Sequence, residues 1–235
     1  MSETKRPFLT ARWLNLLLVT WKVPDALLIS RVPQGLDLDR YDGSALVSLV
    51  AFDFVDTRIG RVRWPGLTNF PELNLRFYVR GADRRGVCFI REYVPNLILA
   101  SVARLLYNEP YRSARYRREG TSHVIHWGGL QHRIGWSVSG NLATPEPTST
   151  AHFLKEHSWG FGRTRKGKTL FYRVDHPTWR TWPEVKIDID FNPAVLYGQE
   201  WALLASLTPW SVIAAEGSEV AVYPPVESPL PIRLD

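Results

Sequence analysis

The sequence predicts a mainly β protein of the α+β type, built on an antiparallel sheet closed or cone-like into a barrel, with a few short peripheral helices. Three observations predict it. Short segments that alternate apolar and polar residues recur along the whole chain. Turns bearing Gly, Pro, Asn or Asp separate them. Only a few short stretches carry helical spacing. About ten strands in one sheet leave exposed edges unless the sheet closes, and closure leaves an interior that holds side chains or one small ligand.

Residues 1–7 are polar and expected to be disordered; 8–235 are expected to form one domain. Leu14 to Val23, rich in leucine and ending Thr-Trp-Lys-Val, reads as a strand. Pro24 to Leu28 suits a short helix with proline in its first turn. Ala45 to Val55 is apolar on both alternating faces and so is a central strand. Leu73 to Arg80 and Val87 to Tyr93 flank a polar turn and form a hairpin. Pro95 opens the best helix, Asn96 to Tyr107, with Ile98, Val102, Leu105 and Leu106 as its apolar stripe. Tyr111 to Arg118, His123 to Trp127 and Arg133 to Ser139 read as strands. Ser149 starts a short helix lasting to His157. Trp159 to Arg163 and Thr169 to Val174 flank the basic turn Arg165-Lys166-Gly167-Lys168 as a second hairpin. Trp182 to Asp190 alternates strictly, and Val220 to Tyr223 is a last strand.

Composition narrows the function. Of 235 residues, 45% are hydrophobic and 22% charged, ordinary for a globular chain that needs no metal or disulfide to hold its core. One cysteine, Cys88, excludes an internal disulfide, a dithiol redox pair and a cysteine zinc site, and fits a reducing, cytoplasmic setting. The net charge of +6 suits either a solvated basic surface or one meeting an acidic ligand, nucleic acid or anionic lipid. The apolar stretch Trp201 to Ala215 is interrupted by Ser206, Thr208, Pro209 and Ser211 and is too short to span a bilayer. Leu14 to Val19 follows Lys5, Arg6 and Arg12 as in a leader, but Lys22 and Pro24 stand where a cleavage site belongs.

The chain carries no phosphate-binding glycine loop, no dinucleotide fingerprint, no nucleophile elbow and no His-Glu-x-x-His. His123 and His126 fall on opposite faces of a strand, so no metal site is expected, and no cofactor is implied. On a strand from Phe70, the residues Glu72, Asn74, Arg76 and Tyr78 share one face. That row either lines a polar pocket or meets solvent while Leu73, Leu75, Phe77 and Val79 face the core. Tyr111, Ser113, Arg115 and Arg117 share a face of the next arginine-bearing strand, with Arg112 opposite; an arginine turned inward needs a carboxylate such as Glu72 or a ligand acid. His176-Pro177-Thr178-Trp179 is either the mouth of a pocket or a packed aromatic corner.

The stretches Phe8 to Leu17, Val32 to Asp39, Glu72 to Arg80, Ala103 to Tyr111 and His176 to Trp179 resemble, in order and over nearly the whole chain, the YqjF-like proteins, the domain of unknown function 2071 family of the acetoacetate decarboxylase-like superfamily. The resemblance implies a cone-like antiparallel barrel with helices packed outside. The decarboxylases form a Schiff base on a lysine whose pKa a neighbouring cation lowers. Their Pro-Lys-Lys segment aligns with Pro110-Tyr111-Arg112, so Tyr111 stands at the nucleophile's position and Arg112 at its neighbour's. Glu72 is similar in place to an active-site glutamate, and an arginine common near Trp13 is Leu14 here. Tyrosine forms no imine with a ketone, which excludes Schiff-base decarboxylation at that position; Lys22, Lys155, Lys166, Lys168 and Lys186 sit in no recognisable pocket motif. The function expected is binding, with or without turnover, of a small organic acid. Its site would be drawn from Glu72, Asn74, Arg76, Tyr78, Tyr111, Arg112, Arg115, His176 and Trp179. The alternatives are an interaction protein with a packed barrel, or a nucleic-acid binder using Arg112, Arg115, Arg117, Arg118 and the Arg163 to Lys168 turn. A homo-oligomer is compatible with the sequence; a membrane partner is not expected.

Overall fold

In the computed structural model, described over residues 6–81 and 84–227, the chain forms β1 (Leu9–Val23), β2 (Asp37–Leu38), β3 (Ala45–Ile59), β4 (Phe70–Gly81), β5 (Arg84–Val94), α1 (Leu97–Tyr107), β6 (Tyr111–Ser113), β7 (Arg115–Glu119), β8 (Ser122–Trp127), β9 (Leu130–Ser139), α2 (Thr150–Lys155), β10 (Trp159–Arg163), β11 (Thr169–Asp175), β12 (Glu184–Asp190), α3 (Pro193–Tyr197), β13 (Ser211–Val222) and β14 (Val226–Glu227). Most of it is strand. No helix among the described residues is long and apolar enough to cross a membrane.

The larger sheet runs β2-β4-β3-β1-β13-β11-β10-β5-β6, and β4 also pairs β5, so the pairings from β4 through β3, β1, β13, β11, β10 and β5 return to β4. They are antiparallel except β5 with β6 and β5 with β10. The smaller sheet, β12-β9-β8-β7, stands apart.

The double-sided hydrophobicity of β1 and β3 has a direct cause: the larger sheet is buried on both faces. On one face Leu17, Val19, Trp21, Leu73, Leu75 and Phe77 pack with Tyr116, Ile125 and Ile134 of the smaller sheet and with Leu196 and Trp201. On the other, Leu16, Leu18, Val50, Phe52 and Phe54 pack with Leu99, Ala100, Phe153, Leu154 and Trp179 from the helices and the 176–179 segment. β1 changes face partway. A register shift lies between Leu14 and Leu17, and Asn15 adopts a left-handed φ of 54° there, as a β-bulge requires.

Three expectations need correction. The apolar stripe of α1 does not face the core: Ile98 is 64% and Leu105 74% exposed, whereas Leu99, Ala100 and Tyr107 are buried; the side chain of Leu106 lies outside the described residues. The core here is reached at 99, 100, 103 and 107, one face of the helix at spacings of three and four, and the Asn96 side chain caps its start by accepting from the N–H groups of Ile98 and Leu99. Second, Tyr111 to Arg118 is two strands in two sheets. Ala114 breaks it, its N–H donating to Val94 O at 3.0 Å, and Arg115 continues in the smaller sheet opposite His126. Third, the strand read as Val220 to Tyr223 begins at Ser211, and α3 was not foreseen.

Candidate functional site

The cavity-facing side of the larger sheet, the α1 and α2 helices and the 176–179 segment enclose a cavity of about 120 Å³. By the measure in which one water occupies roughly 10–15 Å³, that is room for several waters or one small metabolite. Most of its wall is apolar, from Trp13, Phe52, Phe54, Phe70, Phe89 and Trp159. The polar groups collect at two ends.

β4 supplies the row. Glu72, Asn74 and Arg76 line the cavity while Leu73 and Leu75 are buried on the opposite face, so the strand is polar on one buried side and apolar on the other. β5 adds Glu92, which pairs with Asn74. Glu109 comes from the turn after α1, where Asn108 takes the left-handed conformation at φ 52° and stops the helix. Tyr111 on β6 donates to Glu72 Oε2 at 3.2 Å, and Asn74 Nδ2 to Glu72 Oε1 at 3.1 Å. Tyr172 on β11 donates to Glu109. Gly160 makes that possible, because a Cβ there would lie 2.1 Å from the Tyr172 ring.

Three buried carboxyls in one wall cannot all ionise readily. Burial pushes Glu72 up to about 7, against hydrogen bonds from Asn74 and Tyr111 and the Arg76 charge that pull it down. Burial raises Glu109 to about 8, with Glu72 adding to the effect and Tyr172 opposing it. Glu92 is raised well above the carboxylate range by burial and by both other glutamates. Burial likewise keeps Tyr111 and Tyr172 neutral, their phenols raised well above the ordinary value. Near neutral pH this end therefore holds protons and can give or take one close to pH 7.

The other end is basic. Arg76 donates to Leu154 O at 3.2 Å, and its Nε is buried without a partner. His157 donates from Nε2 to Asp39 Oδ2 at 3.1 Å, and Arg85 pairs with the same carboxylate at 2.7 Å. Burial alone would raise Asp39, but the hydrogen bonds and charges of His157 and Arg85 outweigh it and hold Asp39 ionised. Burial lowers the His157 pKa despite Asp39, so the ring is neutral with its buried Nδ1 lone pair unpartnered. His176 stacks on Trp179 with ring centroids 4.2 Å apart.

Of the residues the sequence singled out, Glu72, Asn74, Arg76, Tyr111, His176 and Trp179 line this one cavity. Tyr78 shares the face of β4, but its hydroxyl is taken by Ser48 at 2.7 Å, which also meets Thr20. Arg112 and Arg115 are exposed and lie outside the cavity wall, the first by alternation on β6 and the second because β7 belongs to the other sheet. No arginine of that strand pairs with Glu72, which takes Tyr111 instead. Part of the basic surface is paired: Arg117 with Glu119, Arg118 with Asp53 and Lys168 with Glu227.

Sequence reasoning missed Glu92, Glu109, His157 and Lys155. Lys155, which sits in no recognisable pocket motif of the sequence, is fully buried on the cavity wall. Its Nζ donates to Trp179 O at 2.9 Å and Glu156 Oε1 at 3.2 Å, and burial lowers its pKa. Among the described residues no three His, Cys, Asp or Glu side chains stand close enough to hold a metal.

The family model of DUF2071, described as an uncharacterized conserved protein, matches residues 10–219. The uncharacterized protein YqjF of Bacillus subtilis (strain 168) is 31% identical over 176 residues, 71% of this chain and 72% of that protein. Among solved structures, acetoacetate decarboxylase from Legionella pneumophila superposes with a TM-score of 0.65 at 10% identity, over 97% of this chain and 90% of the other. An acetoacetate decarboxylase-like enzyme from Sphingomonas wittichii RW1 gives 0.61 at 15% identity, over 94% and 93%. The enduracididine biosynthesis enzyme MppR complexed with pyruvate gives 0.63 at 11% identity, over 96% and 92%. At these identities the likeness is one of fold.

Proposed function

The chain belongs to the DUF2071 family, and from that premise and the geometry of its cavity we propose that it binds a small carboxylate-bearing metabolite inside a closed barrel. The circuit of strand pairings supports the barrel, and pyruvate in a similarly folded enzyme supports the ligand class. The observation that carries the reading is the row on β4. Arg76 presents a buried, unpartnered Nε to the cavity, and a buried guanidinium without an acid is costly. A ligand carboxylate would supply that acid through charge-assisted hydrogen bonds. Four residues away on the same strand stands a carboxyl, Glu72, poised to exchange a proton near pH 7. Any reaction at the site would then be general acid–base chemistry by Glu72, with Tyr111 holding its carboxyl in place, and not imine chemistry at position 111.

The test is thermal unfolding of the full chain with pyruvate, acetoacetate and a series of straight-chain monocarboxylates. A ligand at 100 times its dissociation constant adds about 2.7 kcal/mol, roughly 5–10 °C for a domain of this size. The expected result is a shift with at least one carboxylate that Arg76→Leu abolishes. No shift across the series, or a shift that Arg76→Leu leaves intact, overturns the reading.

A further inference from the structure

We propose that the Glu72–Glu92–Glu109 end of the cavity receives an ammonium group, so that the ligand is a zwitterion with an amine at one end and a carboxylate at the other. The inference rests on the preceding reading for the carboxylate and adds the second head. What carries it is a pair of unsatisfied acceptors facing each other across two paired strands. At the acidic end Glu92 Oε2 and Asn74 Oδ1 have no hydrogen-bond partner, although these residues are only 1% and 2% exposed and both line the cavity. Asn74 already gives its amide N–H to Glu72, which leaves its oxygen as a bare acceptor. Acceptors buried without donors are uncommon. At the far end Arg76 Nε is a donor without a partner, beside the unpartnered Nδ1 of His157. A ligand complementary to both ends offers hydrogens to the first and lone pairs to the second. An ammonium brings three donors on one atom, enough for Glu92, Asn74 and one further carboxylate.

Length narrows the class. Arg76 and Glu72 are four residues apart on one strand, roughly 13 Å between backbones, with Asn74 and Glu92 halfway. The unsatisfied acceptors Asn74 and Glu92 stand level on paired strands, two residues from Arg76 and roughly 7 Å away between backbones, with Glu72 beyond them. An ω-amino carboxylate of a few carbons reaches from Arg76 to these groups, and it fits a mostly apolar cavity of about 120 Å³.

The pH dependence has a definite sign. Below pH 7 the acidic end is protonated and an ammonium must displace protons; above pH 8 the end carries negative charge. Facing it are Arg76 on β4, Tyr107 on α1, Tyr111 on β6 and Tyr172 on β11, with Cys88 and Arg163 behind Glu109. The tyrosines and Cys88 are raised by burial and stay neutral, and the arginines stay charged. At the opposite end His157 and His176 are lowered by burial, and Lys155 is lowered too. The ligand amine, near 10.4, remains an ammonium throughout. The preference for the amine therefore grows as pH rises.

Calorimetric titration of the full chain with 5-aminopentanoate and with pentanoate, at pH 6 and pH 8.5, decides it. The expected result is that 5-aminopentanoate binds roughly tenfold tighter than pentanoate at pH 8.5, the gain of one charge-assisted contact. The ratio should shrink at pH 6, and in Glu92→Gln it should fall to near one. Pentanoate binding with no advantage for the amine at either pH overturns this inference and leaves the carboxylate reading standing. Failure of both, with silence across the carboxylate series, overturns both. Should Glu92→Gln not fold, the wild-type ratio at the two pH values still decides.

Discussion

Glu72→Gln should make the protein more stable in mild alkali than the wild type. In the folded chain Glu72 ionises near 7 against an ordinary value of 4.5, because burial disfavours the charge. A raised carboxyl binds its proton more tightly in the folded state. Its contribution is full below pH 4.5, where both states are protonated, and is lost as pH rises to 7, while the unfolded chain has already released its proton. A displacement of that size corresponds to about 3 kcal/mol. Glutamine has no charge to bury and should be indifferent to pH. Its amide still accepts from Asn74 but matches Tyr111 less well, an offset of about 1 kcal/mol at every pH. The stability difference between variant and wild type should therefore move by about 3 kcal/mol in the variant's favour between pH 4.5 and pH 8. In melting temperature that is roughly 6–12 °C. Urea unfolding of both proteins at pH 4.5, 6 and 8 measures it. Buried histidines such as His123, lowered well below the ordinary value by burial, lose stability in acid, but they do so in both proteins and cancel. Parallel curves across this range would refute the argument that Glu72 is a protonated buried acid.

Gly160→Ala should displace Tyr172, since the new methyl would meet its ring; a loss of about 1–3 kcal/mol is expected from overpacking, with a change in near-ultraviolet tyrosine absorbance as the tie to Glu109 breaks. Leu105→Lys should change stability by less than about 0.5 kcal/mol in urea unfolding, whereas Leu99→Ala, on the buried side of α1, should cost about 2–4 kcal/mol. Asp39→Ala removes the acceptor that fixes the His157 tautomer; nitrogen NMR of the imidazole should show protonation at Nε2 in the wild type and a mixture in the variant, and an unchanged spectrum would mean that Asp39 does not position the ring.

The order of elements was legible because alternation and turn chemistry are local. The row Glu72, Asn74, Arg76 was legible as a row, but the sequence could not say which way it faced, because both sides of β4 are buried and solvent exposure is not what separates them. Glu92 was not legible, and the cause is a bulge. β5 faces the cavity at Val87 and Phe89, then slips register opposite Leu75 and Arg76, so that Glu92, of the other parity, faces it as well. Strict alternation puts Glu92 on the wrong side. Glu109 depended on a helix stop, and the Asn108 that makes it was a usable signal. β13 was cut short because Ala214-Ala215-Glu216-Gly217 has little strand preference; tertiary pairing with β1 along its length overrides it. The start of α3 did carry a signal, Asn192 capping Val195 N–H with Pro193 in the first turn.

Tyr111 and the protonated carboxyls explain one another. An ammonium at position 111 would sit beside Glu72 and Glu92, and a cation within a few ångströms pulls a carboxyl's pKa down; the two would be its counter-ions. With a phenol there, the Arg76 charge opposes burial at Glu72 and Glu92 but is outweighed by desolvation, and the glutamates keep their protons. The wall is therefore a proton-loaded one, with a neutral phenol beside the acceptors that are unsatisfied. Lys155 does not fill that gap, since its Nζ is bound to Trp179 O and Glu156 at the other end. On the zwitterion proposal, the cation for these acceptors arrives with the ligand.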